Sequence, residues 1–279
     1  MTLFQAIVLG IVQGLTEFLP ISSSAHVQIV SDLMKVPGLA DTNSATTAFI
    51  ATIQLGTEAA VLLYFGKDII RLVKAFFAGL FNKVARATAD FKMALYVLIG
   101  SIPVGVAGLM FRHFIEDTVR NLWVISFTLI FFGLVLLVAD RLGSKAKSVD
   151  QLTTKSAIGF GLGQMLSLIP GVSRSGASIS FGLFAGFNRA SAARFSFLIG
   201  IPAVLASGLL QFSQSYQNLE QDALAGTVVA TATSFVVGYL VIAGLLKYLA
   251  KGSFLPFVIW RVLVGLTLLA LLTLGVIAA

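Results

Sequence analysis

QGLTEFLPISSSAH, residues 13–26, decides how this chain must be read. Apolar sequence flanks it on both sides, yet it carries Gln13, Thr16, Glu17, Ser22, Ser23, Ser24 and His26, with Pro20 at its centre. Hydrocarbon cannot satisfy such groups, and an unpaired buried carboxylate or imidazole costs on the order of several kcal/mol. A polar cluster of this density therefore marks a site. Pro20 has no N–H to donate and biases Leu19 away from helix, which splits the stretch into two short helices joined by a tip. The apolar run before it, residues 2–13, falls short of the about 20 residues that cross a bilayer core. The reading is a re-entrant helix–loop–helix over about residues 2–34, since irregular backbone at membrane depth survives only inside protein or beside a wet cavity.

Composition points the same way. Hydrophobic residues make up 57% of the 279, charged residues 11%, and the mean hydropathy is +0.96, whereas soluble domains are about 25% charged. This is an all-α polytopic membrane protein with room for about six to eight spans and none for a separate soluble domain. The net charge of +7 does not indicate a nucleic-acid partner, because the basic residues cluster between apolar segments in the positive-inside pattern. With no cysteine, disulfides, thiolate catalysis and cysteine metal sites are excluded. The N-terminus lacks the basic region and cleavage signal of a secretory leader, so residue 1 is expected to belong to the mature fold.

Six spans are predicted, at about 45–66, 93–111, 122–139, 195–212, 225–246 and 255–277. Residues 67–92 read as a basic cytoplasmic loop, Arg141, Lys145, Lys147 and Lys155 mark a second, and Lys247 and Lys251 a third. A second polar interruption, PGVSRSGAS at 170–178, lies within a second re-entrant hairpin at about 156–187. Each half, about 1–140 and 155–279, thus comprises one hairpin and three spans. Three is odd, so the second half enters the membrane upside down and the two tips meet near the midplane, with both termini and the site on the outer side. GIVQGLTEFLPISSSAH can be laid beside GLGQMLSLIPGVSRSGA only with a one-residue shift. A closer match, LIGSIPVGVAGL at 98–109 and LIGIPAVLASGL at 198–209, joins spans that are not repeat partners.

The tips together offer Glu17, three serines and His26 from one side, and Ser173, Arg174 and Ser175 from the other. Arg174 needs an anionic partner at such depth, and its planar fork suits phosphate. Gly171 and Gly176 flank it and would let backbone N–H groups approach an anion, as would the helix starting near Ser175. The plain alternative is that Arg174 pairs with Glu17 and ties the hairpins together. Glu17 and His26 have acid–base capacity, and Glu17 can ligate a cation. Ser23 and His26, three residues apart, would share a helical face, permitting His-activated attack, while N-capping is the simpler role for two of the three serines. Gln13, one turn before Glu17, either coordinates a divalent cation or hydrogen-bonds in the core. Gln54 and Glu58, at i and i+4 in the first span, are secondary candidates, with Glu58 an acidic wall, a structural partner of a basic residue, or neutral by protonation. His113 reads as interfacial, Trp123 and Trp260 as aromatic-belt anchors, and Arg261 as snorkelling to the cytoplasmic face.

Residues 13–26 resemble the (E/Q)xxxE and EFLPxSSxxH signatures of the bacterial undecaprenyl pyrophosphate phosphatases, the bacitracin-resistance family, and PGVSRSGAS resembles that family's PGxSRSxxT motif. IQLGTEAAV and ARFSFLIGIPA extend the resemblance over nearly the whole chain. It implies an integral hydrolase of the bacterial cytoplasmic membrane that removes one phosphate from the C55 prenyl diphosphate carrier for cell-wall synthesis. It also implies a Mg2+ or Ca2+ cofactor, six spans, two opposed hairpins and a homodimer. Glu17, Ser23, His26, Ser173 and Arg174 fall on the family's functional positions, and Gln13 on the first position of its acidic motif. Three departures stand out: Gln13 replaces a carboxylate, Ser178 a threonine, and Ala25 a common glycine. Ser23 is the favoured nucleophile with His26 as acid–base partner, against direct activation of water by His26 or Glu17. A transporter or flippase of the same lipid is the main alternative, and an intramembrane serine protease using Ser23, His26 and Glu17 a third.

Overall fold

The computed structural model describes residues 1–36, 44–111, 121–215 and 221–277. Arg112, His113, Glu116 and Asp117 lie outside the described residues, as does Glu220. Among those described the chain is helical, with one isolated bridge between Lys147 and Phe187.

α1 (Leu3–Phe18) opens on a capping box in which Thr2 and Gln5 exchange side-chain and backbone bonds of 3.2 and 2.9 Å. It stops at Leu19, which is extended (ψ 140°) as the residue before a proline must be. Ser22 then takes φ 76° and α2 (Ser23–Leu33) begins. α3 is Ser44–Tyr64, α4 Gly66–Phe81, α5 Lys83–Arg86, α6 Ala89–Met110 and α7 Leu122–Leu142. α8 (Thr154–Met165) runs through a 3-10 turn into a second tip, where Gly171 and Ser173 have φ 86° and 72° before α9 (Arg174–Phe184). α10 (Arg189–Ser215), α11 (Gln221–Leu249) and α12 (Leu255–Thr273) complete the chain.

Five helices among the described residues are long and apolar enough to cross a membrane: α6, α7, α10, α11 and α12. α3, with 21 residues, covers the stretch predicted as the first span. The region 67–92 departs from its reading as a loop, because α4 and α5 are helices. Leu72 and Gly79 of α4 turn inward, with Phe76 and Gly79 against Phe91 of α6, while Ile70, Val73 and Phe77 stay exposed. Three of the region's basic residues, Lys67, Arg71 and Lys74, are therefore carried on an amphipathic helix, with Lys83 and Arg86 on α5 and Lys92 on α6.

α1 packs against α11 and α8 against α6, in both cases by close backbone approach. A methyl group at Gly10 would meet the Ala230 carbonyl oxygen, and one at Gly161 the Gly100 carbonyl oxygen. α3 fits between α10 and α11, and α7 pairs with α12. The matching stretches at 98 and 198 turn out to touch one another. Ser101 Oγ donates to the Ile199 carbonyl at 2.8 Å, and a methyl at Gly100 would sit 2.9 Å from the Ile199 side chain. Their likeness belongs to a mutual contact of small residues and carbonyls next to Pro103 and Pro202.

At the end of the molecule where Arg189 lies, Asp140 holds three elements. It accepts from Arg189 at 2.6 and 3.1 Å and from the Phe254 backbone N–H at 3.2 Å. Asp140→Ala orphans both donors and should destabilise the protein by about 3 kcal/mol, read as a lower thermal midpoint in detergent; an unchanged midpoint would show that this clasp is dispensable.

Candidate active site

The site forms where the two tips meet. Gln13 and Glu17 share one face of α1, and the Gln13 amide donates to Glu17 Oε2 at 3.0 Å and to Thr57 Oγ1 at 3.5 Å. Ser23, the first residue of α2, donates its hydroxyl to the same Oε2 at 2.7 Å. Arg174, the first residue of α9, donates through Nη2 to Glu17 Oε1 at 2.7 Å and to Glu58 Oε1 at 3.3 Å, and through Nη1 to the Gly200 carbonyl at 3.4 Å. One buried carboxylate thus collects donors from both hairpins, and a second, Glu58, enters from α3. Ser175, Ser196 and Gly200 line the same small cavity, with Phe18, Val61 and Phe197 as its apolar walls.

The two tips are built alike. Each holds a serine with positive φ, Ser22 and Ser173, immediately before an 11-residue helix. In each, that serine's hydroxyl lies 3.3 Å from the hydroxyl two residues on, Ser24 or Ser175. A non-glycine residue in this region costs about 1–3 kcal/mol, so the surroundings must impose it. Ser175 Oγ also donates across to the Leu19 carbonyl at 3.3 Å.

What imposes it is Arg261. Fully buried in α12, it donates to the Pro20 carbonyl of one tip (3.1 Å) and to the Gly171 (3.0 Å) and Val172 (3.1 Å) carbonyls of the other. Its remaining bonds go to the Thr128 and Leu129 carbonyls of α7, at 3.3 and 3.1 Å. Beside it, Trp260 Nε1 donates to His26 Nε2 at 2.7 Å, and the His26 Nδ1–H donates to the Ser22 carbonyl at 2.7 Å.

The family model for bacitracin resistance protein BacA matches residues 6–267. The chain belongs to this family. It is 48% identical over 279 residues to the undecaprenyl-diphosphatase of Renibacterium salmoninarum, covering 99% of this chain and 98% of that protein. It is 46% identical over 285 residues to that of Paenarthrobacter aurescens, covering 100% of both, and 47% identical over 277 residues to that of Corynebacterium diphtheriae, covering 99% and 96%.

Within this family member the structure brings Gln13, Glu17, Ser23, Glu58 and Arg174 together and separates His26 from them. Both nitrogens of His26 are engaged elsewhere, and the Ser23 hydroxyl points to Glu17, so neither the expected Ser23–His26 pairing nor a Ser–His–Glu triad forms. Ser22, the residue before α2, makes no capping bond through its side chain, whereas Ser173 caps α9 by accepting from the Gly176 N–H at 3.2 Å. That bond takes the Gly176 N–H, and the Gly171 carbonyl serves Arg261. At Gly171 a methyl would also strike Thr128 Oγ1. Gln54 contributes its backbone carbonyl, which accepts from Thr57 at 2.7 Å. Trp123, at the start of α7, is 42% exposed, in keeping with an anchor.

Arg261 is the residue that sequence reading misplaced, and the bond from Trp260 to His26 is one it missed. Arg261 does not snorkel, and Trp260, though half exposed, is bonded to the first hairpin. The available signal was an arginine within the run LPFVIWRVLVGL, since an ionised side chain inside an apolar helix calls for a named partner. The partners are carbonyls, which carry no sequence signature. Arg261→Met should lower stability by about 3 kcal/mol or more, because charge-assisted bonds to several carbonyls are lost together. Arg261→Lys should recover less than half, since an ammonium cannot span the fork; full recovery of the melting curve by lysine would refute the two-tip role.

Proposed function

We propose that this chain is an undecaprenyl diphosphatase: it hydrolyses the C55 prenyl diphosphate carrier lipid to the monophosphate and phosphate, recycling the carrier for cell-wall synthesis and conferring bacitracin resistance. The observation that carries this reading is the convergence of a hydroxyl (Ser23) and a guanidinium (Arg174) on one buried carboxylate (Glu17), which with Arg174 lines a small cavity between the tips.

In our mechanism the terminal phosphate displaces the Arg174 guanidinium from its carboxylates and is held by it bidentately. Glu17, already accepting the Ser23 proton, takes it as Ser23 Oγ attacks the terminal phosphorus, and the prenyl monophosphate leaves. Glu17 passes that proton to the departing monophosphate; it then takes a proton from the water that attacks the phosphoserine and returns it to Ser23 Oγ as phosphate leaves. His26, with its Nδ1–H on the Ser22 carbonyl and its Nε2 accepting from Trp260, positions the start of α2. The competing version has Glu17 activate water directly.

A divalent cation, Mg2+ or Ca2+, fits the donor set, which is all oxygen and includes a buried carboxylate oxygen, Glu58 Oε2, without a partner. Glu17 would hold it, with Gln13 beside it, and it would neutralise phosphate charge during transfer. Among the described residues no three acidic or histidine side chains gather, which suits an ion that relies on phosphate and water for its other ligands.

We further propose six spans and two opposed re-entrant hairpins in inverted halves, 1–140 and 155–279. The like-built tips support this, as does the exchange of packing partners, α1 with α11 and α8 with α6. The protein would be a homodimer in the cytoplasmic membrane, with its termini and site on the outer side. Paired inverted tips also suit a flippase of the same lipid, which detergent distinguishes, since only an enzyme releases phosphate without two compartments.

In detergent with a C55 diphosphate, Arg174→Ala should cut phosphate release about 100-fold or more, and chelation should abolish it reversibly. Ser23→Ala should be similarly impaired and the wild type should yield phosphoserine at that position; full activity of Ser23→Ala favours direct attack by water. A cysteine at the exposed Ser24 should react with an impermeant thiol reagent from outside, and labelling only from the cytoplasm would reverse the orientation.

A further inference from the structure

Glu58 is the cavity carboxylate that takes no part in the proton transfers above. It lies in the middle of α3, 1% exposed, beside Phe18, Val61 and Phe197. Its Oε1 shares the Arg174 Nη2 with Glu17, while its Oε2 has no hydrogen-bond partner. Among the described residues one other buried side-chain atom is orphaned, Gln164 Oε1, near Gly200, where a methyl would lie 2.9 Å from Arg174 Nη1 and 3.6 Å from Gln164 Oε1. Both orphans are acceptors. The cavity is short of positive charge and of donors, with two carboxylates facing one guanidinium.

The neighbouring donors do not correct this. Gln13 carries no charge and spends its amide on Glu17 Oε2 and Thr57 Oγ1, and the Thr57 hydroxyl goes to the Gln54 carbonyl. A buried carboxylate oxygen left bare is costly, and a proton, a water molecule or a metal ion removes the cost. A proton would relieve Glu58 alone. A cation between Glu58 and Glu17 would relieve both carboxylates and leave Arg174 free to turn to phosphate.

We propose that Glu58 is the second carboxylate ligand of the cation site, contributed by α3 and facing Glu17 of α1. Two carboxylates, phosphate oxygens and retained water make up the shell that Mg2+ favours. The inference rests on the cation-dependent hydrolysis proposed above and names the residue that completes it. Position 58 would then act for the uncharged position 13, which reaches Glu17 from the other side through Gln13.

The test uses the full-length protein in detergent without lipid substrate, with Mn2+ as the probe and its free electron paramagnetic resonance signal as the readout. Wild type should bind about one Mn2+ per chain. Glu58→Gln keeps the size of the side chain and an oxygen for Arg174, and should weaken binding about tenfold or more. Adding Gln13→Glu to Glu58→Gln should restore most of the affinity by moving the charge to α1. Equal Mn2+ affinity in wild type and Glu58→Gln overturns the proposal while leaving the hydrolase reading intact. No Mn2+ binding by wild type overturns the cation site altogether, and phosphate release without divalent ion would show that hydrolysis itself stands. Should Glu58→Gln not fold, judged by its melting curve, Glu58→Asp replaces it. That variant withdraws the carboxylate by one methylene, and an unchanged affinity again refutes the role.

Discussion

A single guanidinium that reaches two loops at once sets the geometry of this protein. Arg261 sits at full burial with carbonyls from both tips and from α7 arranged around it. The tips need it because their carbonyls have left the helical ladder inside the protein, and an unbonded buried carbonyl is expensive. The arginine needs the tips for the same reason in reverse, since a buried cation without acceptors would be worse. Each side makes the other tolerable. That mutual dependence holds Ser22 and Ser173 in positive φ and fixes the first residues of α2 and α9 opposite one another.

Once the tips are held, the chemistry follows from position. Ser23 and Arg174 are the first helical residues of corresponding limbs, and they approach the Glu17 carboxylate from different halves of the chain. The same carboxylate receives Gln13 from a turn below, so it is saturated with donors while Glu58 is not. The proposed roles rest on this asymmetry between two neighbouring carboxylates, one with its donors in place and one with an oxygen unpartnered. Trp260 and Arg261, adjacent on α12, divide the supporting work: one fixes the His26 ring, the other the backbone of the tips.

Much of this was legible beforehand. The polar stretch in apolar sequence, its break at Pro20 and the second interruption at 170–178 are visible in residue type and spacing, because burying such groups admits few arrangements, while the pairing of Arg174 with Glu17 stood only as the alternative to phosphate binding. The role of residue 261 was not, since a partner made of carbonyls leaves no trace in side-chain identity. Nor was the direction of the Ser23 hydroxyl: sharing a helical face with His26 says nothing about a carboxylate arriving from the preceding helix. The likeness between 98–109 and 198–209 was plain as a pattern and without meaning until the two stretches proved to lie in contact.

The sequence by itself determined the solvent, the helical class, the two places where helices must break and the residue types able to handle phosphate, because each follows from hydropathy, proline geometry and the cost of buried charge. Only the tertiary structure decided which of those residues meet. Glu17 faces Ser23 and Arg174, His26 is turned to Trp260, and Glu58 joins from a third helix. Those choices depend on contacts between elements more than 100 residues apart, such as Arg174 with Glu17 at a separation of 157, and no local pattern encodes which face of one helix another will cover.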